Sequence, residues 1–166
     1  MRRRALLPAF LMAPALAPWM QDANATPAAR GETVLWPSVT LLDGKPWSAG
    51  QARGQAVVVV FWRLDCPYCE RHNAHVEKLH RAAAGKPLTV LGVVVRERDP
   101  QAVRAHMAKR DWQFPVTLDS AAMAAALSER RSVPLTVSVD RQGKLREVIP
   151  GEMFEDDVLG FLKLAD

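Results

Sequence analysis

With 166 residues, 49% of them hydrophobic and 24% charged, the chain has apolar material for one globular domain and too little for two separate cores. Its formal charge of +4 gathers at the start, where Arg2, Arg3 and Arg4 outweigh Asp22, and the remainder carries only +2. No run of Lys or Arg interleaved with aromatics follows, and a mixed cluster such as Arg96-Glu97-Arg98-Asp99 reads as solvated surface, which argues against nucleic-acid binding.

Residues 1–25 differ from the rest. The three arginines precede an uncharged stretch from Ala5 to Met20, which leads to the small-residue triplet Ala23-Asn24-Ala25. This is the pattern of a secretory signal peptide cleaved after Ala25, and it predicts an exported, periplasmic protein. A membrane anchor is the lesser reading. The stretch is shorter than the roughly 20 residues that span a bilayer, and Pro8, Pro14 and Pro18 each remove a helix hydrogen bond.

From Thr26 to Gly31 the chain reads as a flexible lead of small residues and proline; lead and hairpin together occupy 26–56, within a globular unit spanning 33–166. Val39 to Leu42 and Lys45 to Trp47 flank Asp43-Gly44, a hairpin signal. Val57 to Trp62 is a continuous β-branched and aromatic run, as in a central strand buried on both faces. After two cysteines, Glu70 to Ala84 is rich in helix formers and is stopped by Gly85 and Pro87. Leu88 to Val95 predicts a second buried strand, Asp99 caps a helix from Pro100 to about Arg110, and Phe114 to Leu118 predicts a short strand. Ser120 opens an alanine-rich helix to about Leu127. Leu135 to Val139 and Leu145 to Ile149 are strands joined by the tight turn Asp140-Arg141-Gln142-Gly143, and Phe154 to Leu164 closes the chain as an amphipathic helix. This order implies an α/β fold with a mixed central sheet and helices on both faces.

The cysteines are the sharpest feature. There are two, Cys66 and Cys69, in a chain that reads as bound for an oxidising compartment. A disulfide closing so small a loop restricts the unfolded chain little, so a stabilising role explains it badly. With Cys66 at the mouth of a central strand and Pro67 suited to the first helical position, free amides at a helix start face the Cys66 sulfur and favour its thiolate. Only the thiolate attacks a disulfide efficiently, which makes Cys66 the candidate nucleophile. Cys69, one turn along, is placed to resolve the mixed disulfide.

In that setting, Val60-Phe61-Trp62-Arg63-Leu64-Asp65-Cys66-Pro67-Tyr68-Cys69 resembles the active site of the thioredoxin superfamily. The chain looks closest to the TlpA/ResA-like branch of periplasmic thiol-disulfide oxidoreductases. Leu41 to Lys45 resembles that branch's leading hairpin, Gly54 to Trp62 its approach strand, and Ser132-Val133-Pro134-Leu135-Thr136 the loop holding its cis-proline. The helix and strand between Pro100 and Leu118 match its central insertion. The resemblance implies a thioredoxin-like domain over 57–166, with a cis Pro134 beside the cysteines and the Val133 backbone free to pair with a substrate strand. It also implies a protein-disulfide reductase acting on exported proteins, such as apocytochromes in cytochrome c maturation. The expected partners are protein thiols and disulfides and a membrane electron donor. The chain is expected to be a monomer whose only redox group is the Cys66–Cys69 couple, without a cofactor or a metal.

Several positions depart from that branch. Many relatives have an acid in the strand before the motif, or a glutamate three residues after the second cysteine; Val60 and His72 stand there in this chain. His72 is either a substitute general base for Cys69 or an exposed surface histidine. Asp65 opposes the thiolate and Arg63 offsets it, while Pro67-Tyr68 is the pair seen in glutaredoxins, which leaves the direction of electron flow open. Trp62 reads as core packing against the active-site helix. The rival class is a copper- or zinc-binding delivery module built on Cys66, Cys69 and His72. His75 points well away from Cys66 and does not complete a tetrahedral set.

Overall fold

The computed structural model describes residues 26–166; the segment 1–25, where a cleaved signal is expected, lies outside the described residues. Strand β1 (Val39–Thr40) pairs antiparallel with β2 (Pro46–Trp47). The strands are shorter than the apolar runs suggest because the turn takes up residues 41–45. Leu41 N–H donates to Lys45 O at 2.9 Å, Gly44 N–H donates to Leu41 O at 2.9 Å, and Gly44 adopts φ 84, a conformation glycine reaches without strain. Helix α1 (Ala49–Ala52) has no counterpart among the predicted elements; Ser48 N–H donates to Gln51 Oε1 at 2.9 Å at its start.

A second sheet carries the fold. Its strands are β3 (Ala56–Trp62), β4 (Leu88–Val94), β5 (Val116–Thr117), β6 (Leu135–Val139) and β7 (Leu145–Pro150), arranged in the order β5-β4-β3-β6-β7. Strands β3, β4 and β5 run parallel, whereas β6 pairs antiparallel with β3 and β7 antiparallel with β6. The β-branched run of β3 is buried along its whole length, as expected for the central strand. Alternate residues serve two cores. Ala56, Val58, Val60 and Trp62 pack with α2 (Pro67–Ala82), α3 (Pro100–Ala108) and α5 (Glu155–Leu159), while Val57, Val59 and Phe61 pack with α4 (Ser120–Leu127), α1 and the hairpin. Each such valine or phenylalanine contributes about 1.5 to 3 kcal/mol relative to exposure. The fold is thioredoxin-like, a mixed sheet covered on both faces, with the N-terminal hairpin and the α3–β5 insertion in place.

Boundaries move where side chains compete with the ladder or the helix. Strand β5 begins at Val116 because Pro115 has no N–H and the Phe114 N–H is taken by Glu77 Oε2 at 3.2 Å. Helix α3 stops at Ala108 because Asp111, at φ 54, turns the chain left-handed and lets Trp112 N–H close on Met107 O at 3.1 Å. The predicted terminal helix is α5 followed by a 3₁₀ turn over Gly160–Ala165. The lead, expected to be flexible, is tied down: Ala28 N–H donates to Ala126 O at 3.2 Å, Gly31 N–H donates to Leu145 O at 2.7 Å, and Val34 is buried. With Val34 as its anchor and Thr33 bridged to Lys144, that stretch becomes a short extension of the β7 edge. Among the described residues no helix is long and apolar enough to cross a membrane.

Gly92, inside β4, is required by close packing: a Cβ built there lies 2.8 Å from Phe114 Cε2 and 2.8 Å from Val116 Cγ2. Gly92→Ala is therefore expected to cost about 1 to 3 kcal/mol by overpacking, read as a lower urea midpoint with an unchanged slope.

Candidate active site

Four connections gather at one edge of the large sheet. The parallel register Trp62↔Val94 brings the exits of β3 and β4 together, and the antiparallel pairs Phe61↔Leu135 and Leu135↔Pro150 bring the start of β6 and the end of β7 to the same edge. Open α/β sheets place their chemistry at such an edge, where strand connections diverge. Here the chain leaving β3 becomes α2 within four residues, and Cys66 is the N-cap of that helix.

Cys66 Sγ accepts the Cys69 N–H at 3.1 Å, and Glu70 N–H closes the first helical bond on Cys66 O at 3.0 Å. Pro67, at the first helical position, loses no hydrogen bond there. The helix start therefore offers the sulfur one amide directly and the positive end of its dipole in addition, both of which favour a thiolate. Cys66 and Cys69 are joined as a disulfide. Cys66 keeps 7% of its surface exposed and Cys69 none, so an incoming sulfur meets Cys66 first.

The Val133-Pro134 bond is cis. It lies one step beyond the last β3–β6 pair, and Val133 packs against the cluster that contains Cys66 and Cys69. Pro134 O accepts the Gly151 N–H at 2.8 Å, which ties the β7 exit to this loop. None of the described backbone hydrogen bonds outside helices and strands uses Val133.

The charges around the sulfur pair among themselves. Arg63 Nε lies 3.1 Å from Asp65 Oδ1, and Asp65 is 78% exposed while Arg63 is mostly covered. The carboxylate is thus held on the solvent side by the cation. Tyr68 is exposed between the cysteines, with the Arg71 guanidinium 5.1 Å from its ring centroid. Arg71 in turn forks onto Glu152 at 2.8 and 2.7 Å, and this hydrogen-bonded pairing holds the Glu152 carboxyl below the usual range. Trp62 is fully buried, edge-on to Trp112 at 5.8 Å and to Phe114 at 6.5 Å, so it packs in the core. Val60 is buried opposite Thr136.

His72 differs from both expectations. It is fully buried, not exposed, and neither ring nitrogen faces a cysteine as a free base: Nε2 meets Thr136 Oγ1 at 3.0 Å, and Nδ1 accepts the Met153 N–H at 3.2 Å. The physical reason is the helix face, since position 72 turns toward β6 and the β7 exit. Burial, aided by the neighbouring His75 and opposed by Glu152, lowers its pKa from 6.5 to about 4. With both nitrogens committed inside the protein, His72 does not present itself as a third soft-metal ligand. Among the described residues no group of three or more His, Cys, Asp or Glu is placed to hold a metal ion. Sequence reasoning missed Thr136, Arg71, Glu152 and Met153. The one available signal was a polar residue, Thr136, inside a fully buried strand, which needs a partner.

The profile of the family described as Redoxin matches residues 24–161. The thiol-disulfide oxidoreductase ResA of a Bacillus cereus strain is 26% identical over 125 residues, covering 75% of this chain and 72% of its own. A thiol:disulfide interchange protein of the thioredoxin family from Chlorobium tepidum TLS superposes with a TM-score of 0.74 at 24% identity, covering 82% of this chain and 97% of its own. A secreted disulfide oxidoreductase of Mycobacterium tuberculosis, described as homologous to E. coli DsbE, superposes with a TM-score of 0.66 at 21% identity, over 78% of this chain and 96% of its own.

Two outcomes follow from these charges. Asp65→Asn removes the one carboxylate next to Cys66 and leaves the Arg63 cation, so the Cys66 thiolate fraction at a fixed pH is expected to rise, measured by thiol absorbance against pH. For His72, the unfolded chain binds the proton near pH 6.5 and the folded chain near about 4. Stability is therefore full above about pH 6.5 and falls toward pH 4, by up to about 3 kcal/mol. Urea midpoints across that range should fall more steeply for the native chain than for His72→Gln.

Proposed function

The chain belongs to the Redoxin family and is a thiol-disulfide oxidoreductase, and on that footing we propose that it reduces disulfides in exported proteins. The observation that carries the reading is the division between Cys66, a helix cap that accepts an amide and keeps 7% exposure, and Cys69, with none, one turn behind it. In the reduced protein the Cys66 thiolate attacks a substrate disulfide. A mixed disulfide forms and one substrate thiolate leaves. The Cys69 thiolate then attacks Cys66 Sγ, expelling the second substrate thiolate and restoring the Cys66–Cys69 disulfide. Two electrons have passed to the substrate, and the Cys66–Cys69 couple is the only redox group this cycle requires.

Export is supported by the pattern of residues 1–25, an arginine-led apolar stretch ending in small residues. The similar fold of a secreted oxidoreductase agrees with it. A periplasmic site is oxidising, so a reductase there needs recharging by a dithiol donor, and a membrane protein that carries electrons outward meets that need. Cysteine pairs of apocytochromes awaiting haem are the substrate class we assign, with the chain acting as a monomer. The support for both is the resemblance to the TlpA/ResA-like branch.

Cys66→Ser is expected to bring protein-disulfide reduction down to the buffer rate, whereas Cys69→Ser still makes the first attack and accumulates a mixed disulfide visible as a mass increase. The Cys66–Cys69 potential decides direction. A value near thioredoxin's, about −270 mV, fits a reductase, and one near about −120 mV makes the chain an oxidant and reverses the assignment.

A further inference from the structure

A fully buried imidazole must satisfy two nitrogens, and those of His72 are satisfied by two segments that neither precede nor follow it closely in the chain. The Met153 N–H points at Nδ1, so Nδ1 carries the lone pair and the ring proton sits on Nε2, which donates to Thr136 Oγ1. Thr136 stands two residues after Pro134 and is paired with Val60 on one side and Ile149 on the other. Met153 lies in the β7 exit, whose Gly151 N–H is bound by Pro134 O. One ring thus joins the helix that carries both cysteines, the strand that begins at the cis-proline, and the connection that packs on that proline.

The joint is braced on its solvent side. Arg71 forks onto Glu152, while Lys78 meets Glu155 at 2.6 Å and His75 meets it at 3.4 Å. These are charged or titratable groups that α2 and the 152–155 segment bring to this side of His72; β6 presents the Thr136 hydroxyl to the ring and carries the buried Ser138 hydroxyl on the same face. The clasp therefore fixes the position of α2 against the Val133 main chain without leaving a nitrogen free to take a proton from Cys69.

We propose that His72 is a positioning residue for protein substrates: it sets the Cys66 sulfur against the Val133-Pro134 loop, so that a strand laid along Val133 presents its own sulfur in line. This rests on the oxidoreductase reading and deepens it. A small disulfide needs only the Cys66 sulfur, whereas a protein disulfide needs the sulfur and the loop together, and the two substrates separate the roles.

The test uses the reduced full chain with two probes, 5,5′-dithiobis(2-nitrobenzoate) as the small disulfide and insulin as the protein disulfide. For His72→Ala, kcat/KM with insulin is expected to fall about tenfold to a hundredfold, mainly through KM, as misplacement does. The rate with the small disulfide and its pH profile should stay within about twofold, far from the loss that removal of a general base brings. His72→Gln, which keeps a donor and an acceptor, should recover part of the insulin rate. Thr136→Val removes one end of the clasp at nearly constant shape and should show the same split, so the proposal is still tested if His72→Ala does not fold. Equal losses with both probes and a displaced pH profile would make His72 an acid-base group and overturn the proposal, as would unchanged insulin kinetics in both the His72 and Thr136 variants. A native chain inert toward both probes overturns the oxidoreductase reading itself, and this proposal with it.

Discussion

The structure depends on one short junction, the four residues in which the central strand β3 becomes helix α2 with a sulfur as the cap. A cap normally comes from Ser, Thr, Asp or Asn, whose oxygen accepts an orphan amide. Here Cys66 Sγ takes the Cys69 N–H, and the same geometry that closes the helix lowers the cost of negative charge on the sulfur. Structure and reactivity are therefore one feature. Because β3 is buried along its length by β-branched residues, the place where it ends is fixed by packing rather than by the junction itself.

The second requirement is that a partner be brought to that sulfur, and sheet register supplies it. Antiparallel pairing of β6 on β3 sets Leu135 beside Phe61, which leaves Val133 and Pro134 at the height of the cysteine turn. Had β6 run parallel to β3, as β4 does, its beginning would lie at the opposite edge. Reversal of direction between β4 and β6 across the central strand is thus what unites two segments that lie far apart in sequence.

How much of this was legible in the sequence follows the range of the interactions. Strand β3, helix α2 and the cysteine turn are local patterns, hydrophobic continuity followed by proline and helix formers, and they stand where the pattern puts them. The cis Val133-Pro134 bond came from resemblance, since X-Pro bonds take either isomer at small cost and periodicity does not choose between them. His72 was misread because its surroundings are remote: Thr136 is 64 residues away and Met153 is 81. Nothing near position 72 distinguishes a histidine that faces water from one that faces a strand. The pinned lead is similar, because composition rich in small residues reports low intrinsic order and not the backbone partners that Ala126 and Leu145 happen to supply.

Around the disulfide, the polar groups divide between two tasks. Arg63 and Asp65 lie next to Cys66 in sequence, partly in water, and act on the sulfur through charge over a short path. His72 and Thr136 lie behind it, out of water, with the partly buried Met153 beside them; all three are uncharged at neutral pH and act through hydrogen-bond geometry. A buried charge in that second position would carry a desolvation penalty and would also titrate with the state of Cys69. A neutral imidazole avoids both while holding three segments together. Any proton that Cys69 exchanges must then reach it by a path other than the position 72 side chain.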